Sequence, residues 1–152
     1  MFEFIGNVKS ARVNKDDTNW NEVVSEIIVN EELQDGLIGL ENFSHIVVVY
    51  YLNEAEFIIG KHLTRRPQER DDMPNVGIFA QRSKNRPNTI GVASVELLSI
   101  EQNIVKVQGF DAINGTPILD IKPYYPFYDL IENAVVPEWV DKLMMYNFNR
   151  TK

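Results

Sequence analysis

Three short stretches of this chain hold the side chains best suited to chemistry. They are R-S-x-x-R-P-N from Arg82 to Asn88, N-G-T-P from Asn114 to Pro117, and D-I-K-P-Y from Asp120 to Tyr124. In the first, Pro87 pushes Arg86 out of the helical region, so the stretch is a rigid, extended loop. Guanidinium groups held in such a loop suit bidentate recognition of a carboxylate or a phosphate; the competing use is pairing with acidic groups elsewhere in the chain. In the second, Gly115 permits a positive φ and Pro117 fixes its own, which is the composition of a turn. In the third, Asp120 and Lys122 stand two apart and share one face of a strand. They form either a plain salt bridge or a grip on a polar substrate. In the second case Tyr124 or Tyr125 supplies a stacking face of the kind that reads an extruded base.

Strand-like runs must carry these loops. Phe2–Val8 alternates, Val23–Val29 is rich in β-branched residues, and the apolar run Ile46–Leu52 reads as a fully buried central strand. Val76–Ala80, Thr89–Ile100 and Asn103–Phe110 supply three more, and a turn at Glu101–Asn103 makes the last two a hairpin. Gly91 inside its strand signals a bulge or a close backbone approach. Ile113–Asp120 reads as a turn and a short strand. Leu33, Leu37 and Leu40 are at helical spacing, but Gly36 and Gly39 limit any helix there to a turn or two. Residues 61–76 have a loop's composition. Pro137–Asn147 predicts a helix with Trp139, Leu143 and Tyr146 on one face. Six or seven strands without intervening helices predict a mainly β fold, an antiparallel barrel with a C-terminal helix, rather than a doubly wound sheet. Residues 1–130 would form that domain, with 131–152 a helical tail on it or on a dimer interface.

With 152 residues, 44% hydrophobic and 24% charged, the chain suits one domain with a real core. No cysteine and only two histidines, His45 and His62, leave little for a metal site, and none is expected. The N-terminus has no secretory pattern and no apolar run reaches bilayer length, so a cytoplasmic protein without a membrane partner is expected. The net charge is −7, but residues 61–90 hold 7 basic groups against 3 acidic ones. Screening confines attraction to about 8–10 Å, so this segment is either a local phosphate-binding patch or a solvated loop.

The order and wording of the three motifs resemble the TsaA-like (YaeB/TrmO) family, and Leu40–His45 (L-E-N-F-S-H) and Asp16–Trp20 extend the likeness to about residues 2–130. The resemblance implies a homodimeric, S-adenosylmethionine-dependent methyltransferase acting on a modified adenosine of tRNA, threonylcarbamoyladenosine. It matches Arg82 to an arginine that contacts the cofactor and Val92 to a residue lining it. Asn114, Gly115, Thr116 and Pro117 match a D-G-T-P turn that wraps the adenosyl group. Asn53 and Glu54 stand where relatives carry a histidine, Asn114 replaces the aspartate, and Thr89 replaces a second proline. Arg86, Asn88 and Lys122 are the candidates for substrate binding, and Asp120 and Tyr124 for the catalytic base. The extra C-terminal domain of longer relatives is not found here, which points to a smaller substrate or a need for a dimer partner. Two other readings stay open: a non-catalytic module binding an adenosyl ligand, and a methyltransferase acting on a small molecule.

Overall fold

The computed structural model describes residues 1–13 and 19–148, and side chains at the C-terminal end as far as Met145. Asp16–Thr18 of the N-terminal motif and the side chain of Tyr146 lie outside the described residues. Eight strands follow in chain order: β1 (Gly6–Lys9), β2 (Val24–Val29), β3 (His45–Tyr51), β4 (Thr64–Arg65), β5 (Val76–Gly77), β6 (Ile90–Glu101), β7 (Ile104–Gln108) and β8 (Pro117–Pro123). Among the described residues three α-helices accompany them: α1 (Ile59–His62), α2 (Pro126–Asp129) and α3 (Glu138–Phe148).

Six strands close into a barrel in the order β1-β2-β7-β6-β3-β8, with β8 pairing back to β1 through Gly6–Ile118 and Asn7–Pro117. Every pairing is antiparallel. This is the mainly β barrel with a C-terminal helix that the strand pattern predicts. The two-residue β1–β8 pairing joins the edge strands of the main sheet. Among the described residues no helix is long and apolar enough to cross a membrane.

The period-2 alternation of a barrel wall selects the core. Ile27 and Val29 from β2, Ile46, Val48 and Tyr50 from β3, Val105 and Val107 from β7, and Ile118 from β8 are all buried, as is Phe110. β3 is not buried on both faces: Val47 and Val49 point outward and are half-buried, because a barrel strand has one lumen face and one outer face. Two bulges adjust the wall, one at Leu98 in β6 and one where the β3–β8 register shifts between Val49 and Tyr50. The β6–β7 turn puts Gln102 at a φ of 54°.

Residues 61–76 hold more structure than their composition suggests. α1 leads into β4, which pairs with β5 as a small separate sheet, and a 3-10 turn covers Pro67–Glu69; of the expected strand Val76–Ala80 only Val76–Gly77 is extended, outside the barrel, and Ile78–Ala80 is a 3-10 turn. Buried Gln81 ties this excursion together by donating to the carbonyls of Arg65 (2.9 Å) and Val76 (3.0 Å). The segment 31–42 forms two 3-10 turns, Glu31–Leu37 and Leu40–Asn42, in keeping with its two glycines.

Candidate functional site at the rim and outer wall of the barrel

Antiparallel pairing decides which loops meet. Tyr51 at the end of β3 faces Ile90 at the start of β6, and the Leu52 amide donates to the Thr89 carbonyl at 2.8 Å. Asn53 and Glu54 therefore leave the barrel beside Asn88 and Thr89. Tyr50 pairs with Ile118, so the N-G-T-P turn that opens β8 lies at the same end. Phe110, after β7, packs its ring edge-on against Tyr50 at 4.9 Å and brings Asp111 to this rim.

Arg82 is exposed, and its Nη2 donates to the Val92 carbonyl at 2.9 Å. It forms no ion pair among the described residues, so its remaining donors face solvent. Arg86 behaves differently. Its Nη1 donates to the carbonyls of Gln81 (2.6 Å) and Ser83 (3.3 Å), which makes it a strut inside the R-S-x-x-R-P-N loop. Asn85 ties the loop to the segment after β3 by donating to the Glu56 carbonyl at 2.7 Å. Asn88 is exposed, and its carbonyl accepts from Ile90 N at 2.8 Å.

The N-G-T-P turn joins β1 to β8. Asn114 N donates to the Arg12 carbonyl (2.6 Å), Gly115 N to the Val8 carbonyl (2.7 Å), and Asn114 Oδ1 accepts from Ser10 N (3.0 Å). Gly115 has a φ of +87°, which glycine adopts without strain. Thr116 is buried and its hydroxyl donates to the Ile113 carbonyl at 2.8 Å. Pro117 begins β8 opposite Asn7.

The outer wall carries the rest. Val92, Val49 and Asp120 lie in one row across β6, β3 and β8, and Ser94, Val47 and Lys122 in the next. Two strand spacings put Asp120 about 10 Å from Val92. Asp120 Oδ2 meets Lys122 Nζ at 2.7 Å, and Oδ1 accepts from Ile121 N. The hydrogen bond from Lys122 Nζ to Asp120, with the charge of that carboxylate, holds the lysine above its ordinary pKa. Tyr124 lies further along, its amide donating to the His45 carbonyl and its ring edge-on to His45 at 6.3 Å. The six residue steps from Tyr51 to His45 put it roughly 20 Å from the rim.

The sequence candidates thus separate. Asn53, Glu54, Arg82, Val92 and the N-G-T-P turn share one end of the barrel, Asp120 and Lys122 lie on the adjoining outer wall, and Tyr124 sits at the other end. The basic segment is largely engaged with itself: Arg65 meets Glu69 at 3.4 Å, Arg66 donates to the Met73 carbonyl at 2.5 Å, and Arg70 grips Asp72 at 2.6 Å. The Arg70 hydrogen bond holds the Asp72 carboxyl below the usual range.

Sequence reasoning passed over Tyr50, whose signal was a phenol inside an apolar run opposite a glycine. Its phenol is pushed up to about 12, first by burial and then by the Asp111 charge, with Arg82 pulling the other way. Both charged side chains therefore act at this corner of the rim.

An adenosyl cofactor fits the donor set here. The open edge of the Arg82 guanidinium suits a carboxylate, the Glu54 and Asp111 carboxylates suit a cationic centre, and exposed Val92 and Ile90 offer an apolar surface beside them.

Comparison with known proteins places the fold. Residues 10–130 match the family described as tRNA-methyltransferase O N-terminal domain. The chain is 38% identical over 131 residues to an S-adenosyl-L-methionine-binding protein of Archaeoglobus fulgidus, covering 84% of this chain and 91% of that one. It is 36% identical over 104 residues to the tRNA (adenine(37)-N6)-methyltransferase of Homo sapiens, covering 68% of this chain and 23% of that one. The crystal structure of TrmO from Pseudomonas aeruginosa superposes with a TM-score of 0.70 at 26% identity, covering 89% of this chain and 60% of that one. The chain thus spans nearly all of one relative and under two thirds of the others. The match over residues 10–130, with the shared barrel, means that this chain belongs to the tRNA-methyltransferase O N-terminal domain family.

Proposed function

We propose that the protein is an S-adenosylmethionine-dependent methyltransferase that methylates N6 of a modified adenosine, threonylcarbamoyladenosine, near the anticodon of tRNA. The observation that carries this reading is the placement of Arg82. A guanidinium held by the Val92 carbonyl, with open donors, stands beside Asn53, Glu54 and an apolar strip at one rim of a barrel whose relatives include adenosylmethionine-binding proteins. The cofactor supplies an electrophilic methyl group.

The chain's own residues do the rest. Arg82 binds the carboxylate of the cofactor, Val92 and Ile90 cover its apolar surface, and Glu54 and Asp111 favour its positive charge. Asp120, in the same row of the outer wall as Val92, accepts the proton released by the acceptor amine while Lys122 holds its carboxylate in place. Positioning of the reactants can supply much of the acceleration. Arg86 acts on this site through the loop that carries Arg82, and Asn88 and Lys122 face the RNA.

The working form in this reading is a cytoplasmic homodimer. Leu130, Ile131 and Val135, in residues 131–136 and just before, are 61%, 73% and 92% exposed, and a second copy would cover them. The tail over 131–152 then belongs to that interface.

A second reading, a non-catalytic adenosyl-binding module, draws support from the engagement of Asp120 with Lys122 and of Asn114 with Ser10. Calorimetry with S-adenosylmethionine and S-adenosylhomocysteine tests both readings: one site per chain is expected, and no binding overturns them together. Methylated nucleoside released from tRNA by the purified protein then separates them, since the binding module yields none.

A further inference from the structure

The end of the barrel away from Arg82 holds a groove that the cofactor reading leaves unused. β3 and β8 are antiparallel neighbours, so the residues before β3 and those after β8 come together there. Phe43 and Tyr125 stack at 5.8 Å with planes 26° apart, and Tyr128 leans on Tyr125 at 6.1 Å. The short helix α2 sets this geometry: Asp129 Oδ2 accepts from Tyr125 N, and Tyr128 N donates to the Tyr125 carbonyl. The groove is an open surface depression of about 610 Å³, and exposed Asn42 and Ser44 stand at its margin.

Tyr125 and Tyr128 are 45% and 80% exposed, which forfeits much of the stabilisation that aromatic burial normally gives. A stacked pair of rings, bordered by the Asn42 amide, whose Nδ2 donates to the Gly39 carbonyl and whose oxygen is left for a base edge, and by the Ser44 hydroxyl, which bonds His45 Nδ1 at 2.7 Å, matches a nucleobase stacking on its exposed face. The 5.8 Å spacing is too small for a third ring between Phe43 and Tyr125, because two stacking contacts need about 7 Å. A base would therefore stack outside this pair, on the exposed surface of Tyr125 and Tyr128.

Resting on the tRNA reading, we propose that this groove stacks a second, unpaired nucleobase of the RNA, distinct from the base that is methylated. The roughly 20 Å between the groove and the Arg82 rim means that the two sites hold different nucleotides of one loop. The groove fixes the register in which the acceptor adenosine reaches the rim.

The test uses the full chain and an anticodon stem-loop RNA with 2-aminopurine placed in turn at each loop position. Quenching at one position other than the acceptor is expected, with RNA affinity falling about tenfold in Tyr125→Ala and less than about twofold in Tyr125→Phe, which keeps the ring. Calorimetry should give both variants the wild-type affinity for S-adenosylmethionine. Wild-type RNA affinity in Tyr125→Ala overturns the proposal, as does a dimer in the wild type that becomes a monomer in Tyr125→Ala, which would assign the groove to a second copy. If the wild type binds the cofactor but shows no quenching, the groove fails alone. If it binds no cofactor, the rim reading fails, and quenching lost in Tyr125→Ala still supports the groove.

Discussion

Gly91 of β6 lies directly across the ladder from Tyr50 of β3, and a Cβ at position 91 would run into the Tyr50 ring. The glycine lets a large ring turn into the barrel mouth, where it meets Phe110 edge-on. Gly91→Ala should lower stability by about 1–3 kcal/mol, the usual cost of overpacking a core. Urea denaturation of Gly91→Ala, Tyr50→Val and the double variant checks this. The double variant should lose less than the sum of the singles, because removing the ring removes the collision; additive losses would show that the two residues do not interact.

Tyr50 also predicts a pH dependence. Its phenol titrates at about 12 in the folded protein, against 10 in the unfolded chain, because burial and Asp111 disfavour the phenolate more than Arg82 favours it. A raised folded pKa means the stability is fully present below pH 10. It is lost as pH climbs towards 12, where only the unfolded chain gains from ionising. At about 1.4 kcal/mol per unit, the loss approaches 3 kcal/mol. Tyr50→Phe should flatten the fall in denaturation midpoint between pH 10 and 12. An unchanged slope would place the alkaline lability elsewhere.

Arg82→Ala separates binding from folding. The side chain is exposed and makes one bond to the Val92 carbonyl, so stability should change by about 1 kcal/mol or less. Affinity for S-adenosylmethionine should fall about tenfold to a hundredfold, the worth of a charged hydrogen bond. Arg82→Lys should recover only part of it, since an ammonium cannot hold the carbonyl and still present a fork. Equal affinities of wild type and Arg82→Ala by calorimetry would remove the rim as the cofactor site.

The barrel was legible because period-2 alternation, β-branched runs and Gly or Pro turns all point to antiparallel strands, and the Glu101–Asn103 turn marks its hairpin. The Asp120–Lys122 pair was legible too, since two-residue spacing on a strand puts both on one face. The roles of Arg82 and Arg86 were not. Each guanidinium meets a backbone carbonyl, and carbonyls carry no residue type, so nothing in the spelling shows that one arginine faces solvent and the other is a strut. The groove at Phe43 and Tyr125 was hidden for a similar reason: its rings are 82 residues apart and meet only through the β3–β8 pairing. Of the small β4–β5 sheet the sequence showed only part: Val76–Ala80 reads as a strand, but only Val76–Gly77 is one, and its partner Thr64–Arg65 is too short to have a periodicity.

Asn114 gives the sharpest test of what the N-G-T-P turn does. Its Oδ1 accepts from Ser10 N, and the neighbouring turn amides hold the backbone of β1 and the residues after it. Asn114→Asp keeps an acceptor at that position, so stability should stay within about 0.5 kcal/mol of wild type, whereas Asn114→Ala should lose about 1 kcal/mol. The added negative charge acts on a bound sulfonium but not on the neutral thioether of S-adenosylhomocysteine. If the turn borders the cofactor, Asn114→Asp should raise the ratio of S-adenosylmethionine to S-adenosylhomocysteine affinity a few-fold, the scale of a solvent-screened charge pair. A ratio unchanged from wild type, with stability as expected, would leave the turn one role: closing the barrel between β1 and β8.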